Sequence, residues 1–180
     1  MSKQVLIISS SPRKGGNSDT LCDQFLKGAA EAGNRVEKIR LADLKIDYCS
    51  ACYACKTTGR CVKRDDMEQI IEKMRDADVI VLATPVYFYT MCAQMKTMID
   101  RTLGGAQTPE LENKEFYLIA TAADGKAAME RTVDGLCGYL ECLPGAKEMG
   151  VVYGAGVWKI GDVQKNAAFD EAYQMGQNVC

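Results

Sequence analysis

Gln4-Val-Leu-Ile-Ile-Ser-Ser-Ser-Pro-Arg-Lys-Gly-Gly-Asn-Ser18 runs from a short apolar stretch directly into a loop of hydroxyls, an arginine, a lysine and two glycines. Consecutive large aliphatics with no polar residue between them suit a strand covered on both faces. The spacing therefore predicts an interior strand over 4–9. A helix over 18–32 follows, with Leu21, Cys22, Phe25, Leu26, Ala29 and Ala30 on one face, Asn17 or Ser18 capping its start and Gly33 ending it. Strand, polar loop and helix in this order form the first unit of an α/β sheet, whose ligands gather beyond the carboxyl ends of the strands.

Outward from this unit the alternation repeats. Residues 35–41 mix charge with Val36, Ile39 and Leu41, as an edge strand does. A helix is expected over 65–76, with a capping box from Asp65 to Glu68 and an apolar face of Met67, Ile70, Ile71 and Met74. Residues 79–84 (VIVLAT) are the central strand, and the helix over 92–103 after it is stopped by Gly104 and Gly105. Residues 116–121 (FYLIAT) form another buried strand, and the helix over 126–143 repeats Met129, Val133, Leu136, Leu140 and Leu143. A short strand over 151–153 and a helix over 163–179 complete the pattern. Five strands alternating with five helices predict one α/β domain over 1–180, a doubly wound parallel sheet with helices on both faces. A cysteine-rich insertion at about 43–64 is the single long interruption.

Composition narrows the chemistry. The chain of 180 residues is 47% hydrophobic and 26% charged with a net charge of −2, an ordinary globular balance. Such a charge gives no footprint for nucleic acid or an anionic membrane. The leading apolar run is too short for a signal peptide, so the expected compartment is the cytoplasm. Histidine is absent, which excludes Ser–His and Cys–His hydrolases and His-ligated zinc enzymes. Nine cysteines without an export signal suit free, metal-binding or redox-active thiols better than structural disulfides.

Three strand-end loops should carry the chemistry. In the first, Ser9, Ser11, Arg13, Gly16, Asn17 and Ser18 can surround a phosphate, with backbone N–H groups and the helix dipole favouring its charge. The loop is neither a GxGxxG fingerprint nor a Walker A sequence, and a polar turn that only caps the helix is the plain alternative. In the second, the aromatics Tyr87, Phe88 and Tyr89 could wall a flat isoalloxazine ring, or serve as core or subunit contact. In the third, Ala122, Asp124 and Gly125 form a small-residue turn that lets backbone approach such a ring, or is simply a turn.

Cys49-x2-Cys52-x2-Cys55-x5-Cys61 brings four thiols within one irregular loop, the arrangement a cubane iron–sulfur cluster requires. Structural zinc more often uses two separated CxxC pairs. Free thiols or a disulfide without metal remain open beside both. Cys22, Cys92, Cys137 and Cys142 fall in expected helices, where cysteine is a small core residue.

Taken together, SxSPRxxGNS at the first strand end and TPVYF at the third resemble the NADPH-dependent FMN reductase branch of the flavodoxin-like superfamily. The cysteine loop followed by Asp65-Asp66-Met67 is similar to the iron–sulfur flavoprotein subgroup. The resemblance implies a five-stranded sheet in the order 2-1-3-4-5. It implies FMN phosphate at Ser9, Ser11, Arg13, Asn17 and Ser18, its ring and ribityl chain beside Pro85, Val86, Tyr87 and Phe88, and its far edge near Ala122, Asp124 and Gly125. A 4Fe-4S cluster at Cys49, Cys52, Cys55 and Cys61 is implied in the same way.

The expected activity is an FMN-dependent oxidoreductase passing electrons from NAD(P)H, or from a reduced carrier such as ferredoxin, to a small-molecule or protein acceptor. No dedicated acid–base pair is expected. Two other readings stand beside it: a flavodoxin-type carrier without turnover, and a thiol or metal redox sensor on the same scaffold. A homodimer or homotetramer closing over an exposed flavin face is expected, with the aromatic segment 87–95 and the cysteine loop as contacts.

Overall fold

Alternation within β1 (Gln4–Ser9) sets up two cores at once. Val5 and Ile7 leave one face and Leu6 and Ile8 the other, as successive strand residues must, and none is more than 2% exposed. β3 (Val79–Tyr87) and β5 (Glu115–Thr121) repeat the device, with Val81 and Ile119 on the first side and Leu82 and Leu118 on the second. α1 (Asn17–Glu31) and α6 (Ala167–Gln177) cover the first side through Leu21, Phe25, Ala168 and Ala172. The second side is covered by α3 (Met67–Asp76), α4 (Ala93–Arg101) and α5 (Ala127–Glu141), through Ile70, Met74, Met98 and Leu136. This structure, a computed structural model, describes residues 2–103 and 111–180; the expected stop at Gly104 and Gly105 lies outside them.

Among the described residues the sheet has six strands, one more than expected. Five run parallel in the order β2 (Arg35–Arg40), β1, β3, β5, β6 (Lys147–Gly154), and β4 (Thr90–Met91) pairs antiparallel with the end of β3. The extra strand exists because β3 overruns the expected 79–84 and folds back through Phe88 and Tyr89, at φ 52° and 63°. Positive φ at both central residues is the signature of a tight hairpin turn, ordinarily announced by Asn or Gly.

Several helix ends also differ from expectation. α1 starts after Gly16 with no side-chain cap, because Asn17 Oδ1 instead accepts the Val163 N–H at 3.3 Å. Leu41 leaves β2 to begin a 3-10 turn and is buried. The last helix is divided: a 3-10 turn at Asp162–Lys165 precedes Asn166, whose Oδ1 accepts the Ala168 N–H at 3.0 Å and starts α6 afresh. Within the insertion a short helix, α2 (Ala54–Thr58), forms between left-handed Tyr53 and Gly59 and buries none of its residues. Of the four cysteines expected in the core, Cys22 and Cys92 are buried, Cys137 is half-buried and Cys142 is exposed.

No capping box forms at α3. The Asp65 carboxylate reaches only the Met67 N–H of the helix, at 3.2 Å, and pairs mainly with Arg101 of α4, with N–O distances of 2.6 and 2.9 Å and side chains 4% and 1% exposed. The same carboxylate accepts the Asp47 N–H at 3.0 Å, and Arg101 donates to the Asp47 carbonyl at 2.7 Å. A bidentate charge-assisted pair of this kind fastens the cysteine-bearing insertion to the helices behind the sheet. The Arg101 guanidinium lowers the Asp65 pKa from 3.8 to about 2.

Two stability predictions follow from these contacts. α1 and α6 meet backbone to backbone: a Cβ at Gly28 lies 2.1 Å from the Tyr173 carbonyl oxygen, and one at Gly176 lies 2.2 Å from that of Phe25. Gly176→Ala must therefore separate the helices. Overpacking of about 1–3 kcal/mol outweighs the gain of roughly 1 kcal/mol from removing a helical glycine, and urea denaturation should show the variant destabilised. Arg101→Met leaves the Asp65 carboxylate buried without its partner, at a cost of about 3–5 kcal/mol. Because the folded pKa lies below the unfolded one, the Asp65 contribution is present above pH 3.8 and lost as pH falls towards 2. The variant's stability curve should be flatter than the parent's across that interval.

Candidate functional site at the strand carboxyl ends

The loop after β1 is held from beneath. Asp19, one turn into α1, is buried; its Oδ1 accepts the Ser9 hydroxyl at 2.8 Å and its Oδ2 accepts the Gly15 N–H at 2.9 Å. Lys38 and Arg40 of β2 approach the same carboxylate at 3.2 and 3.5 Å. Burial pushes the Asp19 pKa up, but the Ser9 and Gly15 hydrogen bonds and the Lys38 charge together hold it below the ordinary value. Gly16 closes the loop on itself: a Cβ there lies 2.8 Å from Ser11 Oγ and 3.0 Å from the Arg13 carbonyl oxygen.

Above this floor lies a hollow with about 490 Å³ of open space. Ser11, Arg13, Gly16, Asn17 and Ser18 form one wall, Pro85, Val86 and Tyr87 a second, Thr121, Ala122 and Ala123 a third, and Val157 and Trp158 a fourth. The first intrahelical bond of α1 runs from the Thr20 N–H to the Gly16 carbonyl at 2.8 Å. The N–H groups of Asn17, Ser18 and Asp19 thus have no carbonyl one turn back within the helix. The Ser18 hydroxyl is buried and has no hydrogen-bond partner. An unpartnered buried hydroxyl beside unpaired helical N–H groups and an arginine has the donor set of a phosphate. FMN fits the residues present on that ground.

Most of the residues expected from the sequence meet here, but four do not line the hollow. Ser9 spends its hydroxyl on Asp19. Phe88 stands on the hairpin tip at 99% exposure. Asp124 and Gly125 lie just outside, the Asp124 carbonyl accepting the Gly156 N–H at 2.9 Å. Conversely, Thr121, Ala123, Val157 and Trp158 line the hollow and were not picked out from the sequence. The last two follow β6, and a lone tryptophan past a strand's carboxyl end was the available signal.

The four loop cysteines surround a separate hollow, lined by Cys49, Cys52, Cys55 and Cys61 with Tyr53 and Arg101 beside them. All four are free thiols. The Ala54 N–H and the Ser50 hydroxyl lower the Cys52 pKa, favouring the thiolate that ligates metal. Among the described residues no three Cys, Asp or Glu side chains stand close enough to hold a single metal ion. The donor set fits a larger thiolate-bound group in kind, while its ligands are not drawn together on one point. Among the described residues no helix is long and apolar enough to cross a membrane.

The family described as NADPH-dependent FMN reductase matches residues 4–153. Over 107 residues the chain is 42% identical to an iron-sulfur flavoprotein of Archaeoglobus fulgidus, covering 59% of this chain and 49% of that protein. The chain thus spans about half the length of this relative. It is 38% identical to an iron-sulfur flavoprotein of Methanocaldococcus jannaschii, covering 72% of this chain and 67% of that one. An NAD(P)H:quinone oxidoreductase from Methanothermobacter marburgensis shares the fold, with a TM-score of 0.77 at 17% identity over 99% of this chain and 96% of that chain. With its flavodoxin-like sheet, its strand-end hollow and a match running from the first strand to the last, the chain belongs to the NADPH-dependent FMN reductase family.

Proposed function

We propose that this chain is an FMN-dependent oxidoreductase taking electrons from NAD(P)H or a reduced protein carrier and passing them to an acceptor. The observation that carries the proposal is the buried, unpartnered Ser18 hydroxyl at the phosphate end of the hollow. Ser11, Arg13, Gly16, Asn17 and Ser18 hold the phosphate in this reading. Ser9 acts through Asp19 to shape the loop. Pro85, Val86 and Tyr87 border the ribityl chain and ring, with Phe88 at their rim, and Ala122, Asp124 and Gly125 approach the far edge. FMN supplies two-electron chemistry that can be released one electron at a time. The protein positions it and excludes water, which needs no histidine.

Cys49, Cys52, Cys55 and Cys61 hold a 4Fe-4S cluster in the same proposal, supported by four free thiols around one hollow and by the names of the two relatives. Ferredoxin is the protein donor or acceptor that such a cluster suits. The exposed aromatics Tyr87, Phe88 and Tyr89 beside the hollow favour a homodimer or homotetramer, and a cytoplasmic setting suits the free thiols.

The test is FMN titration followed by steady-state NAD(P)H oxidation. The reading expects a yellow protein that turns over, and anaerobic reconstitution should add about four iron per chain. Ser18→Ala removes one bond to a charged group, worth about 1.5–3 kcal/mol, so FMN should bind roughly ten- to a hundredfold more weakly. A colourless protein, or a Ser18→Ala variant with unchanged FMN affinity, overturns the phosphate assignment. FMN binding without turnover favours the carrier reading.

A further inference from the structure

The segment after β6 forms a strap along one wall of the hollow. Buried Val157 anchors one end, its N–H donating to the Ala122 carbonyl at 2.9 Å, and buried Val163 anchors the other, its N–H donating to Asn17 Oδ1 at 3.3 Å. Between them the chain is pinned by one carboxylate. Asp162 Oδ2 accepts the N–H of Trp158 at 2.9 Å and that of Lys159 at 2.7 Å. The Trp158 carbonyl in turn accepts from the Arg13 guanidinium at 3.0 Å, and the Trp158 ring lies 5.8 Å from it.

These contacts form a chain from Asp162 through the Trp158 backbone to Arg13. A free arginine on a glycine-rich loop loses much side-chain freedom when it meets an anion, and an arginine already held loses less. Arg13 is exposed and lines the hollow, with one guanidinium nitrogen on the Trp158 carbonyl, so its charge is available there. The geometry points to Asp162 as a positioning residue of the phosphate subsite: it fixes the 158–159 turn, whose carbonyl aims Arg13 at the anion. This rests on the FMN reading above and extends it to a residue that touches neither phosphate nor ring.

The prediction separates phosphate positioning from general support, because riboflavin shares the ring of FMN and lacks the phosphate. Trp158 is the sole tryptophan, so its fluorescence reports binding of either ligand at the hollow. Asp162→Ala should weaken FMN about tenfold and leave riboflavin affinity unchanged, while Asp162→Asn, which keeps one acceptor oxygen, restores most of the loss. In an Arg13→Gln background, Asp162→Ala should add nothing, since the two act in series. Equal weakening of FMN and riboflavin by Asp162→Ala, or full additivity with Arg13→Gln, overturns the inference. A parent protein that binds neither ligand overturns the FMN reading itself.

Discussion

The whole strand-end site depends on one buried carboxylate. Asp19 sits in the first turn of α1, where a helix start favours negative charge, yet it lies under a loop suited to an anion. Left alone it would repel that anion. Lys38 and Arg40 of the edge strand neutralise it from below, and Asp23 shares Lys38. This explains why β2 is the most charged strand of the sheet: its cations belong to the floor of the site as well as to the protein edge. The Ser9 hydroxyl and the Gly15 N–H then turn inward to Asp19. With its inward donors taken, the loop leaves Arg13 and Ser18 among the residues that line the hollow.

Asp65 and Arg101 do for the insertion what Asp19 does for the loop. The insertion adds little to either core, and its helix α2 buries nothing. A segment of that kind cannot hold its shape by apolar burial. Its attachment rests instead on the bidentate pair, the two backbone groups of Asp47, the Lys45–Asp66 hydrogen bonds and the partly buried Leu44 and Ile46. A buried pair contributes modestly to net stability, but removing one partner is costly, so it fixes position more than it adds energy. Arg101 borders the cysteine hollow, so the anchor lies beside the thiols it orders.

The legible part of the sequence was the part whose structure is set locally or by the sheet. β1, β3 and β5 are buried on both faces, so continuous aliphatic runs announced them; β2 announced itself by its charge. What escaped were features decided by distant partners. The Asp65–Glu68 pattern satisfied every local rule for a capping box, but an arginine 36 residues later pairs with the carboxylate and leaves it only the Met67 N–H of the helix. The wall formed by Val157 and Trp158 escaped because its place is set by partners far off in sequence, the Ala122 carbonyl and the Asn17 side chain. β4 escaped for the opposite reason, since its turn carries none of the usual residues. Ser9 was expected among the phosphate contacts because it shares the loop's hydroxyl pattern, and only the position of Asp19 distinguishes its inward hydroxyl from Ser18's free one.

The Phe88–Tyr89 turn bears on how the site meets the rest of its chemistry. Two aromatic residues at positive φ cost of order 1–3 kcal/mol each, and a glycine at either position would remove most of that cost. The fold nevertheless keeps them at a hairpin tip where Phe88 is fully in solvent, beside the wall formed by Pro85, Val86 and Tyr87. Buried packing does not explain the strain, because the tip is not buried. The turn is short and braced by the Val86–Met91 and Tyr87–Thr90 pairings, and the Arg131 guanidinium lies 5.9 Å from the Tyr89 ring. Its backbone is therefore fixed next to the Pro85–Tyr87 wall. A glycine at either position would relax the turn and give up that exposed aromatic surface.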